Sequence, residues 1–219
     1  MKIAIDGPAG AGKSTISKAI AKKLNYVYID TGAMYRSVGL AALQQGLDAR
    51  SEEQVAGILG SVSIDIKNEP EGPRFYLNGS DVTEKIREPQ VSMAASDVAV
   101  IPAVRLKLVE LQRALANKTD VVMDGRDIGT YVMPDAELKI FLTASLEERA
   151  RRRYEELLAK GAEADFESVK AEMLSRDKND SERAFAPLRQ AEDAVCVDTT
   201  GMDIEQVIEE IYGLVEERR

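Results

Sequence analysis

Short apolar segments alternate with helical patterns along most of the chain. Five segments are nearly continuous in apolar residues, which is typical of strands buried on both faces. They cover residues 2–5, 26–29, 121–123, 138–143 and 194–197. Residues at helical spacing follow or separate them, over residues 13–24, 33–45, 145–160 and 204–217. This order predicts a doubly wound α/β fold with a five-stranded parallel sheet flanked by helices.

The alternation of strand and helix patterns is interrupted between residues 61 and 99. Residues 62–67 and 74–77 resemble two strands, and Asn78-Gly79 is a pair typical of tight hairpin turns. The pattern predicts a small antiparallel β insertion. We therefore divide the chain into an insertion, residues 61–99, and a core, residues 1–60 and 100–219.

Two helix starts carry a signal of their own. Ser51 with Gln54, and Asp203 with Gln206, place a capping oxygen three positions before an amide side chain. These pairs predict helix N-termini and need no functional interpretation.

The composition fits a packed chain, with 44% hydrophobic and 31% charged residues among 219. No window approaches the roughly 18 apolar residues that suggest a membrane helix, and no signal peptide pattern opens the chain. We therefore expect a cytoplasmic protein without a membrane partner. The net charge of −9 argues against nucleic acid as a partner, because such binding needs many Lys and Arg contacts. An anionic substrate would need a local basic pocket.

The chain contains no histidine and a single cysteine, Cys196. These counts exclude an imidazole mechanism, a thiolate zinc site and an intramolecular disulfide. Cys196 lies in an apolar run, so we expect it to be buried. Acid, amine, guanidinium and hydroxyl groups must then carry any chemistry.

The most informative segment runs from Gly7 to Ser14 and matches the Walker A pattern between a strand and a helix. Its glycines let backbone N–H groups surround phosphate oxygens, and the helix N-terminus adds positive charge. Lys13 is expected to contact the β and γ phosphates, and the Ser14 hydroxyl to ligate Mg²⁺. The residues expected to bind ATP are Gly7, Pro8, Ala9, Gly10, Ala11, Gly12, Lys13, Ser14 and Thr15.

Asp124 ends an apolar strand and permits two interpretations. A carboxylate in that position often holds Mg²⁺ through water. The pair Asp124-Gly125 is also a strong turn signal, so the residue could simply begin a turn.

Two further segments follow predicted strands. Tyr35 and Arg36 come after the second strand, and Arg126 and Asp127 come after the third. Because ligands of open α/β sheets bind at the carboxyl ends of the strands, we favour substrate contact over packing or a surface ion pair. In the helix at 145–160, the arginines could form i,i+4 pairs with Glu147 and Glu148, or belong to a lid over the γ-phosphate.

A P-loop alone does not choose among switches, motors and kinases. A switch GTPase would use an Asn-Lys-x-Asp signature for guanine, and we expect no guanine site of that kind. A motor usually needs a longer chain. These considerations favour a kinase.

Three motifs together resemble the bacterial cytidylate kinase family of nucleoside monophosphate kinases. They are residues 6–14, 30–36 and 124–130, and residues 183–188 agree with them. The resemblance implies ATP as phosphate donor, Mg²⁺ as cofactor, CMP and dCMP as acceptors, and a monomer. It also implies that the insertion binds the monophosphate and that a lid lies around residues 145–165.

The resemblance further implies roles for individual residues. Cytosine would contact Ser96, Arg105 and Asp127, whose carboxylate could accept from the exocyclic amine. The ribose would face Thr31, Arg176 and Asp180. The acceptor phosphate would lie between Arg36, Arg126 and Arg183. The residues expected to act in the transfer itself are Lys13, Arg126, Asp127, Arg176 and Arg183.

A nucleoside monophosphate brings an ionised oxygen to the reaction, so no strong general base is required. Lys13, Mg²⁺ and the arginines would neutralise charge around the transferring group. Three other functions stay open: a kinase for a sugar or shikimate hydroxyl, an ATP-binding regulatory module, and an ATPase without an acceptor.

Overall fold

The computed structural model describes residues 1–69, 72–159 and 161–219. Residue 160, the last of the predicted helix 145–160, lies outside them. The strands are β1 (Lys2–Asp6), β2 (Val27–Asp30), β3 (Ile64–Glu69), β4 (Gly72–Leu77), β5 (Ser80–Asp81), β6 (Val121–Gly125), β7 (Leu138–Thr143) and β8 (Val195–Asp198). The helices are α1 (Lys13–Leu24), α2 (Thr31–Gln44), α3 (Glu52–Ile58), α4 (Pro89–Val98), α5 (Pro102–Ala116), α6 (Leu146–Ala159), α7 (Phe166–Glu182) and α8 (Ile204–Glu216).

The main sheet confirms the predicted architecture. Its five strands are ordered β2-β6-β1-β7-β8, and β1 pairs in parallel with both β6 and β7. Strand β1 is central, and Ile3, Ala4 and Ile5 are fully buried. Because β1 ends at Asp6 and is followed directly by the phosphate loop, that loop starts from the buried centre of the sheet.

The smaller sheet confirms the predicted antiparallel β structure. It has the order β3-β4-β5. The turn between β4 and β5 consists of Asn78 and Gly79, with φ values of 49° and 82°. Positive φ at both positions is the type I′ pattern that suits the twist of a hairpin.

The chain forms two compact units. One contains Met1–Tyr26 and Asp120–Arg219, and the other contains Val27–Thr119. In the second unit, α2 packs against α4 so closely that a Cβ on Gly39 would lie 2.9 Å from the Ala95 nitrogen. The predicted division at residues 61 and 99 concerns function and stays a prediction.

The predicted helix starts are both present. The Asp203 side chain accepts from the Gln206 nitrogen, and Gln206 bonds back to the Asp203 nitrogen, which completes a capping box. Ser51 accepts from the Gln54 nitrogen at 3.4 Å, but the Gln54 side chain accepts from Asp48 instead. Only half of the reciprocal box forms there.

The expectation for Cys196 is wrong. The residue is exposed, because β8 is an edge strand of the sheet and its burial alternates. Among residues 1–69, 72–159 and 161–219, no helix combines the length and apolar character needed to cross a membrane.

Candidate active site

The phosphate loop has the backbone that its glycines predict. Gly7, Gly10 and Gly12 have φ values of 150°, 73° and 86°. A Cβ on Gly7 would lie 1.9 Å from the Leu142 carbonyl oxygen, so no other residue fits there. Gly12 caps α1 in the left-handed region, and a Cβ there would face open space. The loop therefore bends tightly around a space that a phosphate group can enter.

Lys13 is buried at the start of α1, with 6% of its surface exposed. Its Nζ donates to the Pro8 carbonyl oxygen at 2.7 Å. Burial and the nearby Arg126 guanidinium lower the pKa of Lys13 to about 7, although neighbouring carboxylates act in the opposite direction. A bound anion would favour the charged form, so this lysine is suited to a phosphate.

Ser14 and Asp124 lie side by side. Ser14 Oγ donates to Asp124 Oδ2 at 3.1 Å. Asp124 lies inside β6, so the turn interpretation is wrong. In the described part of the chain, no group of three acidic, Cys or His residues could hold a metal by itself. A hydroxyl beside one carboxylate fits Mg²⁺, which keeps several waters and takes further ligands from phosphates.

Asp6 is a buried residue whose role the sequence analysis missed. Its two carboxylate oxygens accept from the Ile128 and Gly129 nitrogens at 2.8 and 2.7 Å. Burial raises the pKa of Asp6 to about 6, although those two donors and Lys13 lower it. An acid at the end of a buried strand was the available signal. Asp6 therefore fixes the backbone at residues 128 and 129, which directly follow the site residues Arg126 and Asp127.

Arg126 and Asp180 form a short ion pair. Arg126 Nε lies 2.7 Å from Asp180 Oδ2. Burial opposes the charge of Arg126, but the carboxylates of Asp180 and Asp124 outweigh it and raise the pKa of the guanidinium. The pKa of Asp180 is lowered, because Arg126 and Arg183 outweigh the effect of burial. Two residues with different predicted roles are thus direct partners.

Arg183 and Asp127 form a second buried pair. Arg183 Nη2 donates to Asp127 Oδ1 at 3.2 Å, and 5% and 7% of the two side chains are exposed. Arg183 Nε also donates to the Ala186 carbonyl oxygen. Residues 128–132 form a π-helix, a conformation frequent at functional sites. The tertiary structure therefore brings Arg126, Asp127, Asp180 and Arg183 together.

Arg176 differs from these arginines. Its closest acidic contact is Glu172, with the Nη1 to Oε1 distance at 3.9 Å. Burial and the repulsion of Arg126 lower the pKa of Arg176. Arg126 also repels Lys13. Arg126 thus disfavours the charged forms of both Lys13 and Arg176, and a polyvalent anion would relieve this repulsion.

The second unit holds the remaining predicted residues. Asp30 caps α2 by accepting from the Ala33 nitrogen at 2.8 Å, and its other oxygen lies 3.1 Å from Arg36 Nη2. The Arg36 Nε atom is buried and has no hydrogen-bond partner among the described residues. Thr31 is buried in the first turn of α2. Arg36 therefore has a donor available for a further anion.

Tyr35 and Arg105 are brought together in the same unit. The Arg105 guanidinium lies 5.7 Å from the centroid of the Tyr35 ring, a cation–π distance. Arg105 is fully buried, and its Nη1 donates to the Ala99 carbonyl oxygen at 3.2 Å. Ser96 is half-buried on α4. A buried guanidinium with fixed contacts is suited to reading the edge of a ligand.

The arginines of α6 separate into two kinds. Arg152 forms the predicted i,i+4 pair with Glu148 at 3.2 Å, whereas Glu147 pairs with Lys170 of α7 at 2.6 Å. Arg149 is buried and donates to the Ala9 carbonyl oxygen of the phosphate loop. The sequence pattern does not distinguish Arg149 from the other arginines of α6. It gives no signal for the partner Asp177, because only Val169 and Met173 are buried along the polar helix α7.

One run of the sequence does match the guanine signature of switch GTPases, namely Asn117-Lys118-Thr119-Asp120. The structure excludes that use. Asp120 pairs with the N-terminal ammonium of Met1, beside the amino ends of β1 and β6. The phosphate loop follows the carboxyl end of β1, so Asp120 lies at the opposite edge of the sheet.

The family model described as cytidylate kinase matches residues 3–217. Cytidylate kinase of Caldicellulosiruptor saccharolyticus is 55% identical over 214 residues, covering 98% of this chain and 95% of that protein. Cytidylate kinase of Geobacillus thermodenitrificans is 55% identical, covering 99% and 96%. An uncharacterized protein from Eubacterium ventriosum shares the fold, with a TM-score of 0.56, 13% identity and coverage of 100% and 99%. The chain therefore belongs to the cytidylate kinase family of P-loop, nucleotide-binding kinases.

Proposed function

We propose that the protein transfers the γ-phosphate of ATP to CMP and dCMP, with Mg²⁺ as cofactor, and forms CDP and dCDP. The observation that carries the proposal is the phosphate loop with its buried Lys13, whose charge is repelled by Arg126 in the same unit. Buried like charges are costly unless a ligand neutralises them. Two phosphorylated substrates that meet at one transfer site supply that negative charge.

ATP is the donor that the family implies, and the phosphate loop is its binding site. The N–H groups of the loop and Lys13 would bind its phosphates, while Ser14 and Asp124 would hold Mg²⁺ with water and phosphate oxygens. The metal would supply charge neutralisation at the phosphates. Ala11 is buried and supports the loop, whereas Ser14 and Thr15 are exposed at the start of α1.

The acceptor phosphate is assigned to Arg36, Arg126 and Arg183, as the family resemblance implies. The unfilled Nε of Arg36 supports its assignment. Arg126 and Arg183 each have a carboxylate partner that fixes the direction of the guanidinium. Guanidinium groups oriented in this way give bidentate contacts to a phosphate.

Cytosine is assigned to Ser96, Arg105 and Asp127, and the ribose to Thr31, Arg176 and Asp180. The stacking of Tyr35 beside Arg105 supports a fixed position for that guanidinium. Asp127 accepts from Arg183, and a carboxylate can accept further bonds from an exocyclic amine. Uracil lacks this amine, so the arrangement favours cytosine.

In the transfer, a phosphate oxygen of the acceptor attacks the γ-phosphorus and the bond to the bridging oxygen of ATP breaks. The attacking oxygen is already ionised, so no side chain has to remove a proton. Lys13 and the arginines offset the charge that the transferring group spreads over its oxygens. A lid around residues 145–165 would exclude water during the transfer. We also propose that the protein is a monomer and is located in the cytoplasm.

The test is nucleoside diphosphate formation from CMP, dCMP, UMP, AMP and GMP with ATP and Mg²⁺, beside a control without acceptor. We expect strong preference for CMP and dCMP. Activity with AMP or GMP instead would leave a kinase and remove the cytosine assignments. Equal turnover without acceptor would indicate an ATPase. ATP binding without any product would favour the hydroxyl kinase or the regulatory module.

A further inference from the structure

We infer that the ion pair between buried Arg149 of α6 and half-buried Asp177 of α7 positions the phosphate loop, by fixing the direction of the peptide groups on both sides of Ala9. The inference rests on the proposed ATP binding and does not depend on which nucleotide accepts the phosphate. Arg149 and Asp177 are positioning residues in this proposal, because they act through the loop.

The pair contacts both backbone groups of Ala9. Arg149 Nη1 donates to Asp177 Oδ2 at 2.6 Å and to the Ala9 carbonyl oxygen at 2.9 Å. Asp177 Oδ1 accepts from the Ala9 nitrogen at 3.2 Å. Arg149 Nε donates to the Ala144 carbonyl oxygen at 3.0 Å, which fixes the guanidinium itself. One ion pair therefore contacts both the N–H and the C=O of a single loop residue.

The peptide groups then take opposite directions along the loop. In a trans peptide, the C=O and the N–H point to opposite sides. The Pro8 carbonyl oxygen accepts from Lys13, while the N–H of the same peptide group donates to Asp177. The Ala9 carbonyl oxygen points to Arg149, so the Gly10 N–H points away from α6 and α7. Lys13 and the Gly10 N–H consequently share the face that the phosphates occupy.

Packing supports the same arrangement. Ala9 lies in an apolar cluster with Ala150, Val169 and Met173. A Cβ on Gly10 would lie 2.5 Å from the Met173 Cε and 3.2 Å from the Arg149 carbonyl oxygen. The two helices thus form one wall of the loop. Without the ion pair, the Ala9 peptide groups could rotate, and the N–H donors would not be preorganised for ATP.

The molecule contains a matched control on the same two helices. Glu147 of α6 and Lys170 of α7 are paired at 2.6 Å, but 51% and 32% of their side chains are exposed, and their hydrogen bond joins the two helices to each other. If both pairs only join α6 to α7, removing either pair should affect ATP binding equally. If the pair at Ala9 positions the loop, only its removal should weaken ATP binding.

The experiment measures the Kd of ATP by titration of a fluorescent ATP analogue, together with thermal unfolding. We expect Asp177→Asn and Arg149→Met to raise the Kd about tenfold, because a displaced binding group costs that much or more. Arg149→Lys should restore part of the affinity. The KM for ATP should rise, while the KM for CMP stays within about threefold.

Two further variants keep the test decisive. The double variant Arg149→Met with Asp177→Leu removes both charges, so it can fold even if a single variant leaves an uncompensated buried charge. It should still bind ATP about tenfold more weakly. Glu147→Gln should bind ATP within about twofold of the parent protein. Unchanged ATP affinity in the folded double variant would overturn the inference, whereas a parent protein that does not bind ATP would refute the proposed function instead.

Discussion

Two buried lysines in the same compact unit show how similar contacts can serve different ends. Lys13 and Lys139 have 6% and 8% of their surface exposed, and each donates to the carbonyl oxygen of a proline five positions earlier, at 2.7 and 2.6 Å. Lys139 also bonds both carboxylate oxygens of Asp193, at 2.8 and 3.0 Å. The Lys13 Nζ, by contrast, donates to the Pro8 carbonyl oxygen, and the positive charge of Arg126 repels it.

The difference teaches that burial alone does not identify a functional cation. Lys139 has its charge compensated by a carboxylate, so it stabilises the fold. The charge of Lys13 is poorly compensated, which is costly in the free protein and becomes favourable when an anion binds. The predictions below test this distinction, first through activity and then through proton binding and stability.

The largest effect is expected for Lys13→Met. We expect the rate of phosphate transfer to fall by about 10³-fold or more, because the variant removes a charge that acts on the transferring group. Stability should be unchanged or higher, since a costly buried charge is lost. Steady-state kinetics and thermal unfolding measure the two quantities. A variant that loses stability and activity in parallel would make Lys13 equivalent to Lys139.

Asp127→Ala tests whether a carboxylate that is already paired, here with Arg183, can also serve a ligand. We expect the KM for CMP to rise more than tenfold, because the base loses its acceptor and Arg183 loses its orientation. The Kd of ATP should change by about threefold or less. Unchanged CMP kinetics would remove Asp127 from the base site and leave it a purely structural partner.

The protonation of Lys13 gives a prediction of intermediate size. With a pKa of about 7 in the free protein, Lys13 is mostly neutral at pH 8. Binding of MgATP at pH 8 should therefore take up about one proton, because the phosphates favour the ammonium form. Calorimetry in buffers of different ionisation enthalpy measures this uptake. Lys13→Met should abolish it, and an equal uptake in that variant would assign the proton to another group.

The same pKa affects stability in a defined direction. The folded pKa of about 7 is below the ordinary value of 10.5, so between these pH values the unfolded chain binds more protons. The contribution of Lys13 to the free energy of unfolding therefore rises from pH 7 to pH 10. Urea titrations of the parent protein and Lys13→Met should converge or cross in that window.

The smallest effects are expected for Lys139→Met. The variant leaves the Pro134 carbonyl oxygen and Asp193 without their lysine, so we expect the Tm to fall by about 3–6 °C. The KM values for ATP and CMP should stay within about twofold. A large rise in either KM would show that Lys139 contributes to the site and would end the comparison.

Much of this architecture could be predicted from the sequence. The strands next to the phosphate loop are largely apolar, and the loop itself has a specific spacing of Gly, Lys and Ser. Helix α7 was not predicted, because only Val169 and Met173 are buried along it. Helices α4 and α5 were also missed, although each begins with a proline in its first turn, which is a start signal.

Site residues could be predicted where they belong to a recognisable sequence motif. They could not be predicted where they contact the site from a position far away in the sequence. Lys13 and Ser14 belong to the loop motif that follows β1, and Arg126 follows β6 directly. Asp177 is 168 positions from Ala9 along the chain, and no local pattern connects them. The predicted burial of Cys196 was wrong for a related reason, since an apolar run does not show whether its strand lies at the centre or the edge of a sheet.

The close packing of α2 against α4 restricts the residues that position 39 can hold. Any side chain at Gly39 would meet the backbone of α4 at Ala95, so drift at this position would force apart the helices that carry Arg36 and Ser96. The spacing between α2 and α4 therefore depends on the glycine at position 39. With the acceptor site proposed above, a changed preference among nucleotides is expected to come from exchanged side chains and not from a new helix spacing.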